Sequence, residues 1–183
     1  MKMNARISTI SILTFLFLIA SSSVFGQGYR KGEISIAPGF GAGSVSSYLN
    51  YYSLPVIANL EVGFSDIISG GGFVGFRIWG CNGCNTQLNP VLGIRASGHL
   101  FPILREFGVD VDVPEKADVY LTILSGYEVD NNNLSPNDFI WPRPVIGGKW
   151  YFVDAFGAWA EVGYGAVAYA NIGLVFRFGG ARN

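Results

Sequence analysis

The chain has 183 residues, and its 13 acidic and 12 basic side chains leave a formal charge of −1. That balance offers no basic face for nucleic acid. Hydrophobic residues make up 50%, aromatics 15% and charged residues 14%, which excludes intrinsic disorder, and 25 glycines argue against long helices.

The N-terminus carries an export pattern. Lys2 and Arg6 form a short basic region, and the apolar run ISTISILTFLFLIA follows from Ile7 to Ala20. Ser21, Ser22, Ser23, Val24, Phe25 and Gly26 come next, and the small residues Val24 and Gly26 place the signal-peptidase cut after Gly26. The run is roughly 14 residues, short of the ~20 that span a bilayer as a helix. No Cys lies near the cut, so a lipid anchor is not expected. The expected organisation is a signal peptide over 1–26 and a single domain over 27–183. No apolar run after Gly26 is long enough for a spanning helix.

The remaining chain alternates with a period of two. Strand one, Glu33 to Gly41, sets Ile34, Ile36, Pro38 and Phe40 against Glu33, Ser35, Ala37 and Gly39. Ala42 to Leu54 is a Ser/Tyr-rich loop. Strand two, Val56 to Phe64, sets Ala58, Leu60, Val62 and Phe64 against Ile57, Asn59, Glu61 and Gly63, and a turn over Ser65 to Ser69 follows. Strand three, Gly71 to Trp79, has Val74, Phe76 and Ile78 on one face and Phe73, Gly75 and Arg77 on the other. Beyond the loop Cys81 to Leu88, strand four runs from Pro90 to Leu100, with Leu92, Ile94, Ala96 and Leu100 against Gly93, Arg95, Ser97 and His99.

Phe101 to Lys116 reads as a long connection with two prolines. Strand five, Ala117 to Val129, sets Val119, Leu121, Ile123 and Tyr127 against Tyr120, Thr122, Leu124 and Glu128. Asp130 to Pro142 is a loop by its turn chemistry. Strand six, Arg143 to Phe152, sets Ile146, Trp150 and Phe152 against Gly147, Lys149 and Tyr151, and Val153 to Ala155 is a short turn. Strand seven, Phe156 to Tyr164, sets Ala158, Ala160 and Val162 against Trp159, Glu161 and Gly163. Strand eight closes the chain, with Ala168, Ala170, Ile172, Leu174, Phe176 and Phe178 opposed to Tyr169, Asn171, Gly173, Val175 and Arg177.

Eight strands of about 9–11 residues suit a tilted membrane crossing. One face of each is nearly free of charge, while the ionisable residues share the other with glycines. A soluble barrel has the reverse arrangement. In hydrocarbon, backbone groups find partners only in a helix or a closed sheet. The expected fold is therefore all-β, an eight-stranded antiparallel up-and-down transmembrane β-barrel in the cell outer membrane. Loops after strands one, three and five then lie outside the cell. The connection after strand four is long for the periplasmic side, and the one after strand seven is short for the outer side.

The segments GKWYFVDAFGAWAEVGYG and ANIGLVFRF resemble the C-terminal half of the small outer-membrane β-barrel proteins common in Bacteroidetes, which share the OmpA/OmpX-like eight-stranded fold. NPVLGIRASGHLF and KADVYLTILSGYE are similar to the middle strands of that group. The resemblance implies outer-membrane lipid as the surroundings and recognition of the C-terminal strand by the barrel-assembly machinery. It assigns no activity, since many members have no assigned one. The CNGC loop and the long connection after strand four depart from the pattern.

Glu33, Glu61, Arg77, Arg95, Glu128, Lys149, Glu161 and Arg177 are expected to face the lumen. A barrel of this size has room only for side chains, so these charges should pair across strands and plug it. A narrow path for water, ions or protons is the alternative. Gly75, Gly93, Gly147, Gly163 and Gly173 share the face and are expected to make room for the long charged side chains.

Cys81 and Cys84 flank Asn82-Gly83, a favoured hairpin pair, which points to a disulfide. Free thiols and a redox or metal site are the other readings. His99 is the single histidine. Ser97 shares its face, but no acid partner can be named from the sequence, and packing is the expected role. Tyr48, Tyr51, Tyr52, Phe139 and Trp141 are expected near the outer strand ends, and Phe101, Trp150, Tyr151, Phe152 and Phe156 near the inner ones, as two interfacial girdles.

The functional expectation is a structural or surface-interaction role with a plugged polar lumen and a possible extracellular ligand at the loops. A small-solute pore and a lipid-modifying enzyme are the alternatives. No catalytic, cofactor or metal residue is assigned.

Overall fold

The computed structural model describes residues 29–44, 52–53, 55–80, 87–109, 116–129 and 138–180. The signal peptide over 1–26, the Cys81–Cys84 pair and the girdle residues Tyr48 and Tyr51 lie outside the described residues.

Eight strands form one closed sheet: β1 Glu33–Ser44, β2 Val56–Gly63, β3 Ile68–Gly80, β4 Gln87–His99, β5 Ala117–Glu128, β6 Asp138–Val153, β7 Phe156–Gly163 and β8 Ala168–Gly179. Each runs antiparallel to the next. β8 returns to pair with β1 from Glu33↔Gly179 to Ser44↔Ala168, so the sheet closes on itself. A two-residue strand, Tyr52–Ser53, adds to the end of β3 at Trp79 and Gly80. The short connections 64–67 and 154–155 and the N-terminal segment share one end of the barrel, called here the turn end. The opposite, loop end holds the connections between β1 and β2, β3 and β4, β5 and β6, and β7 and β8.

The two faces follow the alternation. Ile34, Leu60, Val74, Ile94, Leu121 and Ile172 stand exposed on the outside, while Glu33, Asn59, Glu61, Arg95, Thr122, Lys149 and Arg177 are buried inside. An exterior of bare aliphatic side chains is unusual for a chain surrounded by water.

Several expected boundaries move. Asp138–Pro142 belongs to β6 rather than to a loop. The turn chemistry there misleads because Pro142 sits in a β-bulge: Leu124 pairs with Arg143 but Gly126 pairs with Ile140. A proline costs little where the ladder is already interrupted. The Ser125 hydroxyl donates to the Ile140 carbonyl at 2.8 Å within the bulge. The chain after β4 forms a helix, α1, over Leu100–Glu106, so Leu100 is helical. Pro102 stands in its first turn, where backbone N–H groups have no intrahelical partner to lose. β3 begins at Ile68, which takes Ser69 out of the turn and into the sheet.

The alternation also slips at the start of β8. Ala168 is buried and Tyr169 exposed, the reverse of the expected faces. The preceding residues explain it, because Ala166 and Val167 are themselves buried, and Arg77 donates to the Ala166 carbonyl at 2.5 Å. Residues 165–167 fold inward at the loop end, and Ala168 is buried with them. Tyr151 likewise leaves the expected girdle: it is buried, with the Arg177 guanidinium 3.9 Å above its ring. Phe152 and Phe156 do meet outside it, at 5.7 Å. Phe139 and Trp141 are exposed at the loop end and meet edge to face at 5.3 Å.

Candidate functional site

The interior is organised by how far each residue lies from the turn end. Reading inward-facing positions from that end, β1 offers Glu33, Ser35, then Ala37; β2 offers Glu61, Asn59, then Ile57; β4 offers His99, Ser97, Arg95, Gly93, then Val91. β5 follows with Asp118, Tyr120, Thr122, then Leu124. Polar side chains therefore fill the part near the turn end, and apolar ones fill the middle. Phe73, Val91, Leu124, Ile140, Val145, Trp159 and Val175 form one buried cluster there, with Ala166 and Val167 from the inward connection. The interior is thus polar over only part of its length, a correction to the expected polar lumen. The reason is that apolar residues such as Ile57, Val91 and Val175 occupy inward positions of the same strands that carry the charges.

The polar part is a branched ion-pair network. Glu61 accepts from Arg95 Nε at 2.9 Å, from Lys149 Nζ at 2.7 Å and from the Ser97 hydroxyl at 2.7 Å. Arg95 also pairs with Glu161, which accepts from the Tyr120 hydroxyl at 2.9 Å. Ser97 and Thr122 hydroxyls meet at 2.6 Å. Arg177 pairs with Glu33 at 3.5 Å and donates to the Asp154 carbonyl at 2.8 Å. Arg77 and Glu128 pair at 2.6 Å on the loop-end side of the apolar cluster. The structure thus brings the eight charged residues named from the sequence into three acid–base groupings across strands. Such charges are tolerated in a closed interior only because they compensate one another.

Gly147 and Gly173 have a different job from the expected one. A Cβ on Gly147 would lie 2.5 Å from the Tyr120 ring, and one on Gly173 would lie 2.8 Å from the Trp159 indole nitrogen. Their missing side chains admit aromatic rings, not the long charged chains. Trp159 then donates from Nε1 to the Pro38 carbonyl at 3.1 Å.

Both mouths are covered by the chain itself. At the loop end the cover among the described residues is the buried stretch 165–167. At the turn end it is Tyr29 and Arg30, both buried. The Tyr29 hydroxyl lies 2.7 Å from the carbonyl oxygens of Ser65 and Ile68 and donates its proton to that pair. Its ring stacks on His99, with centroids 3.4 Å apart and 11° between planes. Burial, together with the nearby Glu33 and Asp118 carboxylates, pushes the Tyr29 phenol well above its usual range. Arg30 reaches Asp154 at 3.3 Å, and its backbone N–H donates to Glu33 at 3.0 Å.

His99 does not meet Ser97. Its Nε2 lies 2.9 Å from the Ser69 hydroxyl, and its Nδ1 lies 2.9 and 3.1 Å from the two Asp118 oxygens. Sequence reasoning missed Ser69, Asp118 and Tyr29. Asp118 carries a signal, since it shares the parity of Tyr120 and Thr122; Ser69 reads as a turn residue, and nothing local in the sequence marks Tyr29. No group of three or more His, Cys, Asp or Glu side chains that would hold a metal ion occurs among the described residues.

These features define a closed eight-stranded antiparallel β-barrel with a compensated charged interior. No family model matches the chain, and neither a curated protein nor a solved structure matches it.

Proposed function

We propose that this protein is an outer-membrane β-barrel with a closed interior, in a structural or surface-interaction role carried by its loop end. One observation carries the reading. Large apolar side chains stand exposed around the outside, Ile94 at 71% and Ile172 at 66%, while the strand charges turn inward. Lipid is the medium in which that distribution is stable. In this reading the turn end faces the periplasm, the loop end faces outward, and β8, ending near Phe178, is the strand met by the barrel-assembly machinery.

The ion pairs, the apolar cluster and the two covered mouths favour a closed interior over a small-solute pore. The test is refolding in detergent, a shift in gel migration between cold and boiled samples, then single-channel recording in a planar bilayer. Folded protein is expected to give no discrete current. Stepwise currents would overturn the closed interior, and a stable monomer without detergent would overturn the membrane reading.

A further inference from the structure

The relay of Ser69, His99 and Asp118 differs in kind from the ion pairs around it. In a neutral imidazole one nitrogen donates and the other accepts. A carboxylate only accepts, so Nδ1–H points to Asp118 and Nε2 takes the Ser69 proton at 2.9 Å. This is the hydrogen-bond order that turns a serine hydroxyl into a nucleophile. The three residues come from three adjacent strands, β3, β4 and β5, and all are buried.

Their placement gives the relay one route to water. Ser69 is the second residue of β3, His99 the last of β4 and Asp118 the second of β5, so the set lies directly under the turn-end mouth. The cover over the imidazole is the Tyr29 ring. Tyr29 precedes β1 and belongs to no strand, so it can leave without breaking the barrel ladder. Lys149 is the cross-strand partner of Asp118, and its ammonium is held by Glu61 at 2.7 Å.

We propose that Ser69, His99 and Asp118 form a nucleophile, general base and orienting carboxylate for small water-borne carboxylic esters, uncovered when Tyr29 swings away. The strands wall the site off from lipid, which excludes a membrane-embedded acyl chain as substrate. Ser69 Oγ attacks the ester carbonyl carbon as its proton passes to His99 Nε2. That proton then passes to the departing alcohol oxygen as the carbon–oxygen bond breaks. Water resolves the acyl-serine by the same route and returns the proton to Ser69. Asp118 acts through His99 and is a positioning residue.

The experiment is covalent labelling of the refolded protein with a fluorophosphonate, which forms an oxygen–phosphorus bond to an activated serine and releases fluoride. Tyr29→Ala is expected to label at Ser69 about tenfold faster than the wild type, the factor set by loss of one ring stack. His99→Ala is expected to slow labelling by about a hundredfold or more, and Ser69→Ala to abolish it. Asp118→Asn is expected to slow it and Asp118→Glu to recover part of the rate. Hydrolysis of p-nitrophenyl acetate should follow the same order. No label on Ser69 in a folded, heat-modifiable Tyr29→Ala barrel overturns the proposal, as does labelling that survives Ser69→Ala. Should Tyr29→Ala not fold, Arg30→Ala, which cuts the tie to Asp154, carries the same expectation and the same refutation. The gel shift reads folding separately from labelling, so failure of the barrel and failure of the site are distinguishable.

Discussion

The polar and apolar parts of the barrel interior solve one packing problem in opposite ways. Around Glu61, Arg95, Lys149 and Glu161 the space is filled by charges that hold one another. Around Phe73, Leu124, Val145 and Trp159 it is filled by shape. A compensated network fails when any member is removed, because the partner left behind is a buried charge. An apolar cluster tolerates exchange of side chains if volume is kept. The polar part is thus the more specific of the two, and the apolar part the more forgiving.

The largest effect that tests this contrast is expected at Arg95. Arg95→Ala leaves Glu61 and Glu161 without their shared partner, and a loss of about 3–5 kcal/mol is expected. Urea unfolding of the refolded protein in detergent reads it. A change below about 1 kcal/mol would mean that the network is wetter than its burial indicates. Next comes Gly147→Ala, where the new methyl meets the Tyr120 ring that anchors Glu161. Overpacking of that kind should cost about 1–3 kcal/mol. A neutral result in the same unfolding assay would show that Tyr120 moves freely and that its bond to Glu161 is dispensable. The smallest effect is expected in the apolar part, at Leu124→Met, which keeps volume and should cost less than about 1.5 kcal/mol. If Leu124→Met proved as damaging as Arg95→Ala, the contrast between the two parts would be lost.

Much of the barrel was legible from local pattern. Period-two alternation marks inside and outside wherever the strand is regular, as at Ile34 against Glu33 or Leu92 against Arg95. It breaks where something non-local intervenes. Pro142 reads as a loop residue until the bulge opposite Ser125 is known. Ala168 reads as outward until the inward fold of Ala166 and Val167 is known. The eight charges could be placed on one face from the sequence, but their partners could not. Arg95 and Glu161 are 66 residues apart, and only closure of the sheet brings them together.

The sequence by itself determined a β-rich chain with one charged and one apolar strand face, because side-chain alternation is a property of the extended backbone alone. It also determined that the paired charges belong together on one side. The tertiary structure alone decided that β8 closes on β1, that the interior divides into charged and apolar parts, and that both mouths are covered. It also decided that His99 meets Ser69 and Asp118 rather than Ser97. The physical reason is that register and closure set which inward positions share a level, and neighbouring letters carry no record of a contact made across the barrel wall.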